Sequence, residues 1–296
     1  MANLKVWIEA ARPKTLTASI SPVLLGCALA YTDGKFNWIP ALLCLFVALF
    51  AQIASNYAND YFDHKKGADR EDRLGPDRAV ALGWVKPKSM LIATLISLGL
   101  SCIVGLFLIQ YGGWELIFVG LAIAVFALAY SAGPYPLAYH GLGDVCVLLF
   151  YGVVPVVFTY YVQAKAFTIG SLLAGLGLGF VAINILVVNN YRDYDADKLS
   201  NKQTTIVKYG KTFGLAFYIF NALAGMLFFV AVTELYDVFA ILAYSLAFIW
   251  IALFILVYRK LTSLEGKALN AVLASTAKMV FLFAVLLSVL IVFCKQ

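Results

Sequence analysis

The sequence predicts an all-α fold: a polytopic membrane bundle of about nine transmembrane helices around a central cavity, with two Asp-rich clusters at the cytoplasmic side. Three observations carry that expectation. Hydrophobic residues make up 63% of the chain and charged residues 13%, against about 45–50% and about 25% in ordinary soluble domains. The apolar residues fall into runs of about 20, the length that spans a hydrocarbon core. The Lys and Arg residues gather in the connections on one side.

The elements follow in order. Met1–Lys14 does not read as a signal peptide. The run after it, "TLTASISPVLLGCALAY", ends in no small-residue cleavage site, so 15–32 is expected as a first span that is retained. Further spans are expected at 38–60, 88–110, 113–131, 142–162, 168–190, 212–232, 237–258 and 268–293. Short turns ("YTDGKFN", "QYGGW", "VQAKAF", "TELYD") join them on one side. Two long charged loops, 61–87 and 191–211, lie on the other, with the turn "SAGPYPLAYHGLGD" and the last loop "RKLTSLEGKA". The whole is expected to form one integral-membrane domain. Spans two and six each end in an Asn/Asp cluster and run in the same direction, which suggests a parallel four-helix pseudo-repeat.

Charge sets the orientation. The N-terminus carries three Lys or Arg, the first long loop seven, the second five and the last loop three, eighteen in all. Only Lys35, Lys165 and Lys295 fall on the opposite side. This places the N-terminus and both long loops in the cytoplasm and accounts for the net charge of +6 without nucleic acid. The five cysteines lie singly in apolar segments with no CxxC spacing. That supports neither a disulfide framework nor a zinc site; apolar packing is the role expected of each. "GLGLGF" at 175–180 lies within a span and reads as helix packing rather than a nucleotide loop. Nothing in the sequence calls for an obligate protein partner.

The chemistry concentrates at two helix ends. At about 100° per residue, Gln52, Asn56, Asn59, Asp60 and Asp63 share an arc of roughly 80–100°. Asn189, Asn190, Asp193 and Asp197 share a similar one, with Asp195 on the far side. A single polar stripe arises wherever a helix meets water. Two at equivalent ends of parallel-running helices describe a hard oxygen site: Asn56, Asp60, Asp63, Asp193 and Asp197 are the expected ligands, and Mg²⁺ the expected ion. Arg73, Arg78, Lys198 and Lys202 follow the acids and suit phosphate oxygens, although each also serves as a cytoplasmic anchor. A metal-bound diphosphate beside lipid points to a polyprenyl diphosphate, whose departure leaves an allylic cation that must be kept from water.

These residues resemble the UbiA superfamily of membrane prenyltransferases over essentially the whole chain. The first family motif resembles Asn56-x-x-Asn59-Asp60-x-x-Asp63, and the second Asn189-Asn190-x-Arg192-Asp193-x-x-x-Asp197. Within the superfamily the chain is most similar to the group acting on 1,4-dihydroxy-2-naphthoate, through "ARPKTL", "DRLGPDRA", "SAGPYPLAYHGLGD" and "NNYRDYDAD". One departure is Asn201, where a glycine is expected before Lys202; Asn tolerates the left-handed region, so the turn is expected to survive. The resemblance implies transfer of a polyprenyl group to 1,4-dihydroxy-2-naphthoate, with loss of diphosphate and CO₂, in menaquinone biosynthesis. Tyr130, His140 and Asp144 are candidates near the acceptor, against roles as interfacial anchor, turn cap and helix cap. Arg12 is a candidate for a carboxylate or diphosphate, or an anchor. Lys278, about 16 Å into the last span, is expected to face a cavity and meet anionic substrate. Two alternatives remain: another aromatic acceptor such as 4-hydroxybenzoate or homogentisate, and a transporter of an anionic solute. The transporter would place its ionisable groups near the bilayer midplane, whereas these acids sit at one interface.

Overall fold

The computed structural model describes residues 3–67 and 74–293. Among the described residues there is no β-strand. The helices are α1 (Leu4–Ala10), α2 (Pro13–Thr32), α3 (Trp38–Lys65), α4 (Pro87–Phe107), α5 (Ile109–Gly112), α6 (Leu116–Ala129), α7 (Gly143–Leu148), α8 (Val154–Ala164), α9 (Ile169–Arg192), α10 (Tyr194–Leu199), α11 (Thr205–Tyr209), α12 (Lys211–Leu235), α13 (Ala240–Ser263) and α14 (Leu269–Phe293). Local sequence marks their ends. Asn37 and Thr168 cap α3 and α9 by accepting from Ile39 N and Ser171 N. Pro13 and Pro87 open α2 and α4, where a missing N–H costs nothing.

Eight spans, with α7 and α8 counted as one and α4 and α5 as another, are long and apolar enough to cross a membrane. The fourth expected span, 113–131, is shorter in the structure. α6 has 14 residues, about 21 Å at 1.5 Å per residue, against a core of about 30 Å. Among the described residues there are therefore eight helical segments of spanning length and one short apolar helix. All four described cysteines are free. Cys44 is buried as expected, whereas Cys102 is exposed; Cys294 lies outside the described residues.

α9 is the axis of the bundle, and the largest apolar core joins it to α2, α8, α12, α13 and α14 through Val156, Leu178, Phe229, Trp250 and Phe283. The glycines of "GLGLGF" allow this. A Cβ on Gly152 would stand 2.5 Å from Gly179 Cα, and one on Gly179 would stand 2.7 Å from Leu148 O, so only glycine permits the two backbones to meet. Gly152 lies in a π-helical turn, Leu149–Val153, between α7 and α8. Pro155 follows it and supplies no N–H to the helical ladder. This widened turn aims Tyr151 toward α3, as described below. A second, smaller core packs α1 on Tyr57 and on the 79–85 turn through Ala10, Ala79, Val80 and Met90. It fixes the first long loop over the end of α3.

Candidate active site

The ends of α3 and α9 open into one cavity of about 620 Å³. Its head is polar, with Arg12, Asn59, Asp63, Arg78, Asn189, Asn190, Asp193, Asp197 and Lys202 on the wall. Its body is apolar, lined from α2, α3, α4 and α6 by Val23, Val47, Leu106, Ile117 and Leu121, with Phe126, Phe150 and Phe158 beside them. The structure thus brings both clusters to one space, as the shared arcs suggested, but it divides the individual residues differently.

In the first cluster Asp63 faces the cavity. It accepts from Arg78 Nη2 at 2.8 Å and from the Tyr139 hydroxyl at 3.3 Å. Asn59 beside it accepts from the Ser131 hydroxyl. Asp60 departs from the expectation of a cavity ligand. It is buried, lies off the cavity wall, and accepts from the backbone N–H groups of Ala79 at 3.0 Å and Val80 at 3.2 Å. Its carboxylate anchors the first long loop. Asn56 also departs: it touches the cavity, but its amide donates to Ala11 O at 2.8 Å and its oxygen accepts from Gln52 at 3.2 Å. The oxygen expected on the metal is held by Gln52 within α3, while the amide N–H brackets α3 to the corner joining α1 to α2.

In the second cluster Arg192 is buried and turned away from the cavity, so it is not the substrate contact expected. It grips both oxygens of Asp193 at 2.8 and 2.6 Å, and reaches Asn189 at 2.8 Å and Asn270 at 2.7 Å. Asn270 in turn donates to Leu74 O at 2.8 Å, which ties the first loop to the second cluster. Asp197 faces the cavity, and Lys202 approaches it at 3.4 Å. Burial pushes the Asp197 carboxyl up to about 6; Lys202 opposes this, while Asp193 and Asp63 add to it. Carboxylates from both clusters line one cavity. Asn201 adopts φ 56°, so the turn before Lys202 survives without glycine. Lys198 is exposed and off the cavity wall; four residues on, Lys202 takes the place expected of it. Arg73 lies outside the described residues.

The acceptor candidates divide too. Tyr130 and Asp144 line the cavity, and the Thr205 hydroxyl donates to Asp144. His140 does not line it. Its ring stacks on Tyr135 at 3.5 Å and its Nδ1 meets Pro136 O at 2.9 Å, so it shapes the turn. Arg12 lines the cavity with φ 55°, a left-handed conformation at the α1–α2 corner that is uncommon for a side-chain-bearing residue. Lys278 is exposed in an outer groove between α13 and α14; the expectation that it meets substrate in the cavity is overturned. The sequence gives its position along the helix, but not the face on which it lies.

Several residues escaped the sequence reading. Tyr139 stands between the clusters, with Lys66 Nζ 4.5 Å and Lys202 Nζ 5.6 Å from its ring centroid. Lys66 also donates to Ser131 O at 2.6 Å, and burial pushes its amine down. Deeper in, Gln52 accepts from Ser19 at 3.0 Å and from Tyr151, which links α2, α3 and the π-helical turn. Gln52 was visible as the start of the α3 stripe; Tyr139 carried no signal beyond its place in a Pro/Gly-rich turn.

Among the described residues no group of three or more His, Cys, Asp or Glu side chains is close enough to hold a metal ion. The donor set is instead mixed. Asp197 Oδ2 and Asn190 Oδ1 are buried acceptors with no hydrogen-bond partner, both on residues of the cavity wall. With Asp63 and Asn59 they offer oxygen to a hard cation, so the residues present fit Mg²⁺.

Residues 19–282 match the UbiA prenyltransferase family. The chain belongs to this family. It is 37% identical over 224 residues to the 1,4-dihydroxy-2-naphthoate octaprenyltransferase of Haemophilus influenzae, covering 73% of each chain. It is 37% identical over 231 residues to that of Mycobacterium tuberculosis, covering 78% of this chain and 79% of that one. A UbiA homolog from Archaeoglobus fulgidus bound to DMAPP and Mg2+ shares the fold at a TM-score of 0.69 and 16% identity, covering 97% of this chain and 98% of that one. Family membership makes the amphipathic cavity, rather than any single cluster, the feature to explain.

Proposed function

We propose that this chain transfers a polyprenyl group from polyprenyl diphosphate to 1,4-dihydroxy-2-naphthoate, releasing diphosphate and CO₂ and yielding demethylmenaquinol, a step of menaquinone biosynthesis. The observation that carries the reading is the cavity itself: a polar head built from both clusters and continuous with an apolar body. A donor with a charged head and a hydrocarbon tail has that shape. The relatives named for this reaction in Haemophilus influenzae and Mycobacterium tuberculosis support the naphthoate as acceptor.

The residues divide the work. Arg78 and Lys202 on the wall meet the diphosphate oxygens. Asp63, Asp197, Asn59 and Asn190 would hold Mg²⁺, which supplies positive charge for the departing diphosphate. Arg192 holds Asp193 and Asn189 in place. Phe126 and Phe150 line the cavity, and aromatic faces favour a nearby cation. The apolar body keeps water from it. Tyr130 and Asp144 line the same cavity, where they can orient the phenolic acceptor. The excess of Lys and Arg on one side supports a cytoplasmic position for both clusters, in what we take to be the inner membrane.

The test is purified protein with Mg²⁺ and farnesyl diphosphate, offered 1,4-dihydroxy-2-naphthoate, 4-hydroxybenzoate or homogentisate in turn. A prenylated naphthoquinol is expected from the first alone, and EDTA abolishes it. Product from either other acceptor at an equal rate would refute the naphthoate assignment.

A further inference from the structure

We propose that the outer groove between α13 and α14 binds one anionic phospholipid, with its phosphate held by Lys260 and Lys278 and an acyl chain lying along the apolar surface below. The groove has a volume of about 520 Å³ and is lined from α13 by Leu253, Leu256 and Lys260 and from α14 by Ser275, Lys278 and Phe281. It is separate from the reaction cavity, on which Leu273 is the residue of α14.

The argument starts from the cost of Lys278. Both helices are long and apolar enough to cross a membrane, and Lys278 is exposed nine residues beyond the first residue of α14, about 14 Å along the axis. A charged amine on that surface faces hydrocarbon, which is expensive without an anion. Among the described residues neither lysine makes a salt bridge, and the groove has no carboxylate on its wall. The described residues supply no anion in the groove, so one from outside would lower that cost.

Geometry sets its kind. α13 runs toward the Gly266–Ala268 turn and α14 runs away from it. Lys260 lies three residues from the end of α13, so the two amines start from depths about 9 Å apart, a gap that two flexible side chains can close on one group. Leu253 is 39% exposed and Phe281 37%, so the surface below the amines is apolar and open to lipid tails. A single phosphate with a tail attached satisfies both features. Basic pockets between spanning helices on the cytoplasmic side hold acidic headgroups in this way. The polyprenyl diphosphate is the poorer occupant: the groove has none of the Asp or Asn oxygens that would hold its metal, and those oxygens line the other cavity.

Native mass spectrometry of the full chain, titrated with phosphatidylglycerol and with phosphatidylcholine of the same acyl chains, tests the assignment. The unmodified protein is expected to retain phosphatidylglycerol selectively. Lys278→Met should weaken that retention about five-fold, and adding Lys260→Met should weaken it about five-fold again. Lys278→Arg should keep it. Prenyl transfer in lipid-free detergent should be unchanged in Lys278→Met, which also reports that the variant is folded. If Lys278→Met does not purify, Lys260→Met at the helix end gives the same reading. Equal retention of phosphatidylglycerol by the double variant, equal retention of phosphatidylcholine by the unmodified protein, or displacement of the lipid by farnesyl diphosphate would each overturn the proposal.

Discussion

At the scale of single residues, the division within "NDYFD" separates structure from chemistry. On a helix turning about 100° per residue, Asp60 lies at the margin of the polar arc and Asp63 near its middle. Asp60 reaches the amides of Ala79 and Val80, while Asp63 faces the cavity. Lys198, on α10, is exposed, whereas Lys202, in the turn after it, lines the cavity, and Lys278 lies on the outer face of α14. The arcs were legible in the sequence because helical periodicity is fixed. Which part of an arc meets substrate was not, because that depends on where the 79–85 turn and α14 pack. The variants should separate accordingly. Asp197→Asn is expected to raise the Mg²⁺ concentration for half-maximal activity at least ten-fold, since it replaces a carboxylate whose Oδ2 is buried without a hydrogen-bond partner and is proposed to hold the cation. Asp60→Asn should leave that concentration unchanged and lower the thermal midpoint in detergent, because a buried acceptor for two N–H groups is weakened at a cost of about 1–3 kcal/mol. A shifted Mg²⁺ requirement in Asp60→Asn would return that residue to the metal site.

At the scale of elements, the spans were legible to within a few residues because hydropathy and length are properties of the chain alone. The shortness of α6 and the π-helical turn were less so, since they answer to neighbours: Gly152 must meet α9, and Tyr151 must reach Gln52. The 131–142 connection, read only as a turn, is the element that joins the halves of the site. Gln203 N donates to Tyr139 O at 2.9 Å and Lys208 Nζ to His140 O at 2.8 Å, while the Tyr139 ring stands between Lys66 and Lys202. Tyr139 is thus a positioning residue for two amines near the diphosphate end. Tyr139→Leu removes both ring contacts, each worth about 0.5–1 kcal/mol or more, and the hydrogen bond to Asp63. It is expected to raise the KM for polyprenyl diphosphate about ten-fold with kcat changed far less. Tyr139→Phe keeps the ring and should recover most of that loss. If both variants lower kcat alone, the ring is not positioning the lysines.

At the scale of the whole molecule, a polar head and an apolar body in one cavity demand that the two be occupied together. A transporter would need ionisable groups near the midplane, whereas the acids of both clusters lie at the ends of α3 and α9. Tail binding is then set by the wall that α4 and α6 contribute, where Leu106, Ile117, Gly120 and Leu121 line the body of the cavity. Gly120 has open space where a Cβ would stand, so a larger residue there can be built without displacing a helix. Gly120→Trp is expected to obstruct the far part of a long tail while leaving the diphosphate end untouched. Its kcat/KM should fall on the order of ten-fold for a long polyprenyl diphosphate and change little for geranyl diphosphate, the loss corresponding to about 1.4 kcal/mol of binding. Competition between the two donors in one reaction, read from the chain lengths of the naphthoquinol products, gives that ratio directly. An equal fall for both would mean that the tail does not pass Gly120, and that the apolar body between α4 and α6 serves some other part of the reaction.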